Sequence, residues 1–146
     1  MKRQVKVGKV LIGGDAPVSV QSMLSVKTSD VRAALPQIQK LEKAGCDIVR
    51  LAVRDERDAA AFSDLKKETS VPLVADIHFD YRLAIAAAKA GADKIRINPG
   101  NIGDEGRVRQ VCRACSAKNI PIRIGVNSGS LVKGILAKYG APTAAA

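Results

Sequence analysis

A strand-like run followed by a helix-like run recurs five times between residues 17 and 140. The strands are expected to start at 18, 47, 72, 93 and 120, so that successive starts lie 21 to 29 residues apart. Repeated βα units of this length build parallel sheets, because each helix carries the chain back to the edge where the next strand begins. The predicted strands cover 18–23, 47–53, 72–78, 93–99 and 120–126, and the predicted helices cover 30–44, 56–68, 81–90, 105–118 and 130–140.

Two architectures accommodate five such units, an open doubly wound sheet and a portion of an eight-stranded (β/α) barrel. The glycine-rich dinucleotide fingerprint of the first is missing after the first strand, where the sequence is "QSMLSVKTSD". The prediction is therefore an α/β fold comprising the first five units of a TIM barrel over 17–140. An N-terminal β-hairpin over 1–16 precedes them, with Gly8 at the turn of "QVKVGKVLIGG".

Local chemistry supports the helix boundaries. Ser or Asp residues stand where a helix N-cap accepts backbone N–H groups, and two glycines follow lysine-containing helix ends where a left-handed C-cap is favoured. These residues are Ser29 or Asp30, Asp55, Asp80 and Asp104 at the starts, and Gly45 and Gly91 at the ends. Pro36 falls inside the first helix, so we expect either a kink there or a helix that begins near Leu35.

Arginines interrupt three runs that otherwise read as buried strands. Arg50 lies in "DIVRLAV", Arg96 in "DKIRINP" and Arg123 in "IPIRIGV". A charge buried without a partner costs several kcal/mol, so three arginines at matched positions indicate a common anionic ligand. The alternative without a ligand is ion pairing with Asp47 and Asp93, which lie three positions before Arg50 and Arg96.

Further polar residues stand at the same ends of the predicted strands, where ligands bind in both architectures. Guanidinium groups hold phosphate oxygens through paired hydrogen bonds, so this rim is suited to two phosphate groups. "PGN" at 99–101 is either a plain turn or a turn that leaves amides free for phosphate. The candidate ligand-binding residues are Arg50, Asp76, His78, Arg96, Asn98, Arg123, Asn127 and Ser130.

The net charge of +10 favours acidic partners, and nucleic acid is the obvious alternative to a phosphorylated metabolite. Aromatic residues make up only 3% of the chain, with no Trp, so stacking platforms for bases are scarce. No apolar run approaches the length of a membrane span, and the three cysteines fit a reducing cytoplasm. Cys112 and Cys115 form a lone CxxC in a predicted helix, which favours small core residues over metal ligands.

Five strings along the chain make a specific resemblance: "VQSM", "DIVRLAV", "VPLVADIHFDYRLA", "RINPGNIG" and "KNIPIRIGVNSGSL". Together they resemble the N-terminal part of the 4-hydroxy-3-methylbut-2-enyl diphosphate synthase family, an iron–sulfur oxidoreductase of the non-mevalonate isoprenoid pathway. The resemblance covers almost the whole chain. It implies a TIM barrel that binds 2-C-methyl-D-erythritol 2,4-cyclodiphosphate, with a separate C-terminal domain whose 4Fe-4S cluster opens the ring reductively.

The resemblance also implies roles for individual residues. Arg50, Arg96 and Arg123 would clamp the diphosphate, with His78, Asn98 and Asn127 assisting. Asp76 would orient His78 or a substrate hydroxyl, and Ser130 would add a phosphate contact. Ferredoxin or flavodoxin would donate electrons, and the full-length enzyme would be a cytoplasmic homodimer.

The chain departs from the family pattern by ending after five βα units. The catalytic carboxylate, the remaining barrel strands and the cluster-binding cysteines are expected outside residues 1–146, so the catalytic residues are unknown and no metal site is assigned here. The chain alone is expected to be an inactive, N-terminal, substrate-binding part of such an enzyme. The alternatives are a self-standing, non-catalytic phosphate-binding half-barrel and a basic nucleic-acid-binding module.

Overall fold

The repeated units form a five-stranded parallel sheet in the computed structural model, which describes residues 3–131 and 133–143. The strand order is β3-β4-β5-β6-β7, the order of the chain, as expected for consecutive right-handed βα units. A separate antiparallel pair, β1-β2, forms the N-terminal hairpin. The strands are β1 Gln4–Val7, β2 Val10–Gly13, β3 Gln21–Met23, β4 Ile48–Val53, β5 Leu73–Ile77, β6 Lys94–Ile97 and β7 Ile122–Ile124.

Helices follow each strand of the parallel sheet. They are α1 Val31–Lys43, α2 Glu56–Glu68, α3 Tyr81–Lys89, α4 Pro99–Ile102, α5 Glu105–Ser116 and α6 Lys133–Tyr139, with a 3-10 turn over Ser128–Ser130. The short α4 and the 3-10 turn were not predicted. Met1, Lys2 and Val132, which the predicted hairpin and the last predicted helix include, lie outside the described residues, as do residues 144–146.

The two outer strands are shorter than predicted. The runs 18–23 and 120–126 contract to three residues each, 21–23 and 122–124. Each outer strand has a neighbour on one side only in this structure, so its ends lack partners for ladder hydrogen bonds. Val18 and Val126 are accordingly 95% and 63% exposed.

The predicted caps are present. Each of four aspartates accepts a backbone N–H from the first turn of the helix that follows, and both glycines have positive φ, +85° and +103°. Asp30 rather than Ser29 caps α1. The residues concerned are Asp30, Asp55, Asp80, Asp104, Gly45 and Gly91.

Pro36 does not delay the start of α1. The helix begins at Val31 and continues past Pro36 to Lys43, so the alternative of a helix starting near Leu35 is wrong. Pro36 and Arg32 both lie on the exposed side of the helix. Water can therefore solvate the Arg32 carbonyl, which has no N–H partner at Pro36.

The two faces of the parallel sheet differ in character because side chains alternate along each strand. The outer face packs under the helices in the main core, where Leu51, Ile77 and Ile97 meet residues such as Phe62 and Leu65. The inner face holds a small apolar cluster near the amino ends of the strands. There Val7 of the hairpin packs against Ile48 and Val74, so the hairpin covers this end and the polar residues occupy the other.

Candidate anion-binding site

A buried carboxylate organises the inner face. Asp76, in β5, has a side chain with no solvent exposure, and its register partner in β6 is Arg96. Arg96 NH1 lies 3.1 Å from Asp76 Oδ1, and Arg50 NH2 lies 3.0 Å from Asp76 Oδ2. Strand β5 thus carries an acceptor between two guanidinium groups contributed by its neighbours on either side.

His78 completes this group one alternation further along the same strand. Its Nε2 lies 3.4 Å from Asp76 Oδ2, and its side chain is 44% exposed. The position lies just beyond the carboxyl end of β5, where solvent reaches the imidazole. We call Arg50, Asp76, His78 and Arg96 the Asp76 cluster.

The alternative ion pairs considered from sequence are wrong. Asp47 accepts the Val20 N–H at 2.8 Å, and Asp93 pairs with Lys66 at 2.7 Å. The idea that Arg50 and Arg96 are buried without a protein partner also needs correction, since both contact Asp76. Two guanidiniums share a single carboxylate, so the group retains excess positive charge.

Two buried polar atoms of the Asp76 cluster have no hydrogen-bond partner of good geometry among the described residues. Within the described part of the chain, Arg50 Nε is buried and has no hydrogen-bond partner. Asp76 Oδ2 also lacks a hydrogen bond of good geometry, although it is close enough to Arg50 for an ion pair. Buried polar groups are normally satisfied, so these atoms mark a place where a ligand or water would complete the bonding.

Arg123 differs from the other two arginines. It is the register partner of Arg96, but it is exposed on the outer strand β7 and makes no ion pair with any described residue. An outer strand is covered from one side only, so its side chains are less enclosed than those of β4 and β6. The expectation of three equally buried arginines is therefore wrong for Arg123.

Asn98 and the following residues form a closed turn. Asn98 is 2% exposed and its side-chain oxygen accepts the Gly100 N–H at 3.1 Å, which caps α4. The Asn101 N–H donates to the Asn98 carbonyl at 2.9 Å. The amides of Gly100 and Asn101 are therefore occupied, so the alternative of "PGN" with free amides is wrong for these two residues.

Asn127 and Ser130 bond to each other at the 3-10 turn. Ser130 Oγ accepts the Asn127 N–H at 3.1 Å and donates to the Asn127 carbonyl at 3.0 Å. Ser130 also approaches Gly100 so closely that a Cβ at position 100 would overlap its carbonyl oxygen. The 3-10 turn thus packs on α4, and neither polar side chain hydrogen-bonds to the Asp76 cluster in the described structure.

Two residues near the cluster were missed from sequence. Lys94 precedes Arg96 by two residues on the inner face and is 7% exposed; burial, and then the charge of Arg123, lower the pKa of its ammonium group. Gly125 lies against Arg96, because a Cβ there would be 2.5 Å from both Nε and NH2 of the guanidinium. Strand alternation could have identified Lys94, whereas no local pattern marks Gly125.

An open cavity lies between the hairpin and the inner face, and none of the described residues that line it belongs to the Asp76 cluster. Its volume is about 410 Å³, and apolar residues such as Val7 and Ile48 line it together with Lys94 and Arg123. Arg50, Lys94, Arg96 and Arg123 provide four cationic groups on this face, against the carboxylate of Asp76. The inner face is therefore electropositive and suited to an anion.

The cysteines do not fit an iron–sulfur cluster. Cys115 of α5 is buried in the main core, and its burial raises the pKa of the thiol to about 11, which disfavours the thiolate that would bind iron. Cys46 is buried in the same core, and Cys112 is exposed, so the expectation that it is a small core residue is wrong. Over residues 3–131 and 133–143, no group of three His, Cys, Asp or Glu residues is arranged to hold a metal ion.

Parallel βα units in chain order define the class of protein, part of an α/β barrel, and its strands carry cationic side chains toward the carboxyl ends where barrel proteins bind ligands. The family model described as the GcpE TIM-barrel domain matches residues 2–146, and the chain belongs to this family.

Curated relatives are similar over nearly the whole chain. The 4-hydroxy-3-methylbut-2-en-1-yl diphosphate synthase (flavodoxin) of Listeria monocytogenes serovar 1/2a is 61% identical over 142 residues, which cover 97% of this chain and 39% of the relative. The protein of the same name from Nitratiruptor sp. is 59% identical over 143 residues, covering 98% and 40%. The chain therefore spans about two fifths of the length of these relatives.

Solved structures support the fold. A dihydropteroate synthase from Stenotrophomonas maltophilia matches with a TM-score of 0.61 and 22% identity, over 82% of this chain and 46% of that one. A 7,8-dihydropteroate synthase from Vibrio fischeri matches with the same TM-score and 15% identity, over 82% and 49%. At such identities the likeness concerns architecture alone. None of the described helices has the length and apolar character needed to cross a bilayer.

Proposed function

We propose that this chain supplies part of the substrate-binding barrel of an enzyme that reductively opens 2-C-methyl-D-erythritol 2,4-cyclodiphosphate to 4-hydroxy-3-methylbut-2-enyl diphosphate. The observation that carries the proposal is the pairing of Arg50 and Arg96 with one buried carboxylate, Asp76, at the ligand-binding end of a parallel sheet. The names of the curated relatives and the family membership support the same activity.

The Asp76 cluster explains how a diphosphate would be held. The carboxylate holds the guanidiniums of β4 and β6 on either side of β5 and neutralises one of their two charges. Their remaining N–H groups, including the buried Arg50 Nε, can then donate to phosphate oxygens. His78 is half exposed with Nε2 toward Asp76, so its other ring nitrogen, Nδ1, would be the one to donate to a ligand when it carries a proton.

The remaining candidate residues contribute from the neighbouring loops and the outer strand in this proposal. Arg123 is exposed next to Arg96, so its guanidinium is free to turn toward a ligand. Asn98 uses its side-chain oxygen for the α4 cap, which leaves its amide N–H groups to donate. The Ser130 hydroxyl would contact phosphate by exchanging its bond to the Asn127 carbonyl for one to the ligand, and the Asn127 side chain would donate through its amide N–H groups.

The reductive chemistry is assigned to polypeptide beyond these residues. A 4Fe-4S cluster would supply the electrons in such an enzyme, yet the cysteines described above do not form a site for it. Flavodoxin appears in the names of the relatives, which makes it the proposed donor for the complete protein, with ferredoxin as the other. We also propose that the complete protein is a cytoplasmic homodimer.

The proposal is tested by replacing Arg96 with Lys and measuring pyrophosphate binding by titration calorimetry on this chain. Where the chain belongs to a longer polypeptide, cyclic diphosphate binding is measured on that protein. Lysine keeps the charge but loses the two-pronged geometry, so affinity should fall by about tenfold to a hundredfold. Arg82→Lys is the matched control, because Arg82 pairs with Asp80 on the exposed surface with its side chain 76% exposed. Equal affinities for the two variants would refute the assignment of Arg96.

A further inference from the structure

Gly125 follows β7 and lies against the guanidinium of Arg96. A Cβ at this position would be 2.5 Å from Arg96 Nε, 2.5 Å from NH2 and 2.9 Å from Cζ. These distances are well inside van der Waals contact. The Gly125 N–H donates to the Ile97 carbonyl at 2.9 Å, so the backbone of residue 125 is held close to β6.

Glycine is favoured at position 125 because a side chain there would lack space. Gly45 and Gly91 have positive φ, which disfavours other residues regardless of their surroundings, but Gly125 is not among the positive-φ glycines. Its φ lies outside the left-handed region, and the three atoms nearest to a Cβ all belong to the Arg96 side chain. The opposing atoms belong to the mobile end of a long side chain rather than to backbone, so substitution would move the guanidinium and leave the fold in place.

We propose that Gly125 is a positioning residue that leaves room for Arg96 to extend between Asp76 and the ligand. A Cβ would meet the edge formed by Nε and NH2, whereas NH1 makes the contact with the Asp76 carboxylate at 3.1 Å, so a larger residue would displace the guanidinium and disturb that pair. The proposal rests on the anion-binding function proposed above. It adds that Gly125 sets the direction of one hydrogen-bond donor, the Arg96 guanidinium.

The test is a double-mutant cycle with inorganic pyrophosphate as the probe, in wild type, Gly125→Ala, Arg96→Ala and the double variant. Gly125→Ala should weaken binding by about tenfold, the value of one charge-assisted hydrogen bond. In the Arg96→Ala background it should cause no further loss, because the group that a Cβ meets is gone. Gly134→Ala in α6 is the control, since nothing lies within 4 Å of a Cβ there.

Two outcomes overturn the proposal: Gly125→Ala binds as tightly as Gly134→Ala, or its penalty is the same with and without Arg96. If Arg96→Ala itself leaves pyrophosphate affinity unchanged, the proposed function fails, and positioning is judged from thermal unfolding of the same four proteins. Gly125→Ala should then lower Tm only when Arg96 is present, because it disturbs the Arg96–Asp76 pair. Equal shifts in both backgrounds would overturn the role of Gly125.

Discussion

Asp76→Asn removes the carboxylate that Arg50 and Arg96 share while keeping the size of the side chain. Asp76 is fully buried, with its oxygens 3.0 and 3.1 Å from the two guanidiniums. Taking away one member of a buried ion pair costs about 3–5 kcal/mol, because the remaining charge stays desolvated. The arginine side chains are 26% and 20% exposed, so water compensates partly and the lower end, about 3 kcal/mol, is expected.

The assay is urea unfolding followed by circular dichroism, analysed by linear extrapolation. All variants are compared at one protein concentration, because association would make stability concentration-dependent. In a chain of this size, a loss of about 3 kcal/mol corresponds to a fall in Tm of roughly 6–12 °C. The variant should remain folded, with a much smaller free energy of unfolding.

Asp64→Asn is the matched control. Asp64 makes an ion pair with Lys67 at 3.0 Å in which both side chains are more than 60% exposed. Exposed pairs of this kind contribute less than about 1 kcal/mol. If Asp76→Asn and Asp64→Asn change the free energy of unfolding by the same amount, the central role given to Asp76 is refuted.

Three further outcomes are expected. Lys94→Met should stabilise the chain at neutral pH, because the lowered pKa of Lys94 means that the folded state disfavours its charge. The free energy of unfolding of the wild type should increase as pH rises toward 10.5. The variant Lys89→Met, at an exposed site, should show the same increase. The wild type should lose roughly 2–3 kcal/mol of unfolding free energy between about pH 9 and 11, because over that range the thiol ionises in the unfolded chain but stays protonated in the folded one. Cys115→Val should not show this loss. Curves of unfolding free energy against pH that run parallel for the two proteins would contradict the prediction. The chain alone should lack reductase activity and should associate through the outer strands β3 and β7, and a monodisperse monomer by light scattering would count against association.

The architecture could be predicted from the sequence, because the patterns that indicate strands and helices lie within short stretches of the chain. The spacing of the strand-like runs predicted parallel βα units, and the observed order β3-β4-β5-β6-β7 confirms it. Helix ends were predictable for the same reason, since a cap such as Asp55 bonds to an N–H three residues away. Pro36 shows the limit, because its tolerance depends on which side of α1 faces solvent.

Only part of the candidate site could be predicted from the sequence. Sequence patterns identified Arg50, Asp76, His78 and Arg96 as polar residues at strand ends, since alternation and the direction of a parallel sheet bring such residues to one edge. They did not show which carboxylate the arginines contact, because Asp47 and Asp93 are nearer along the chain.

Strand register decided that question. Asp76 stands opposite Arg96 across β5 and β6, and Arg50 stands opposite Val74, two residues before Asp76. The same register places Arg123 beside Arg96, but on an outer strand that leaves it exposed. Gly125 comes to lie against the Arg96 guanidinium only because β7 pairs with β6. Contacts between residues far apart in sequence depend on how strands align and pack, and no rule based on neighbouring residues contains that information.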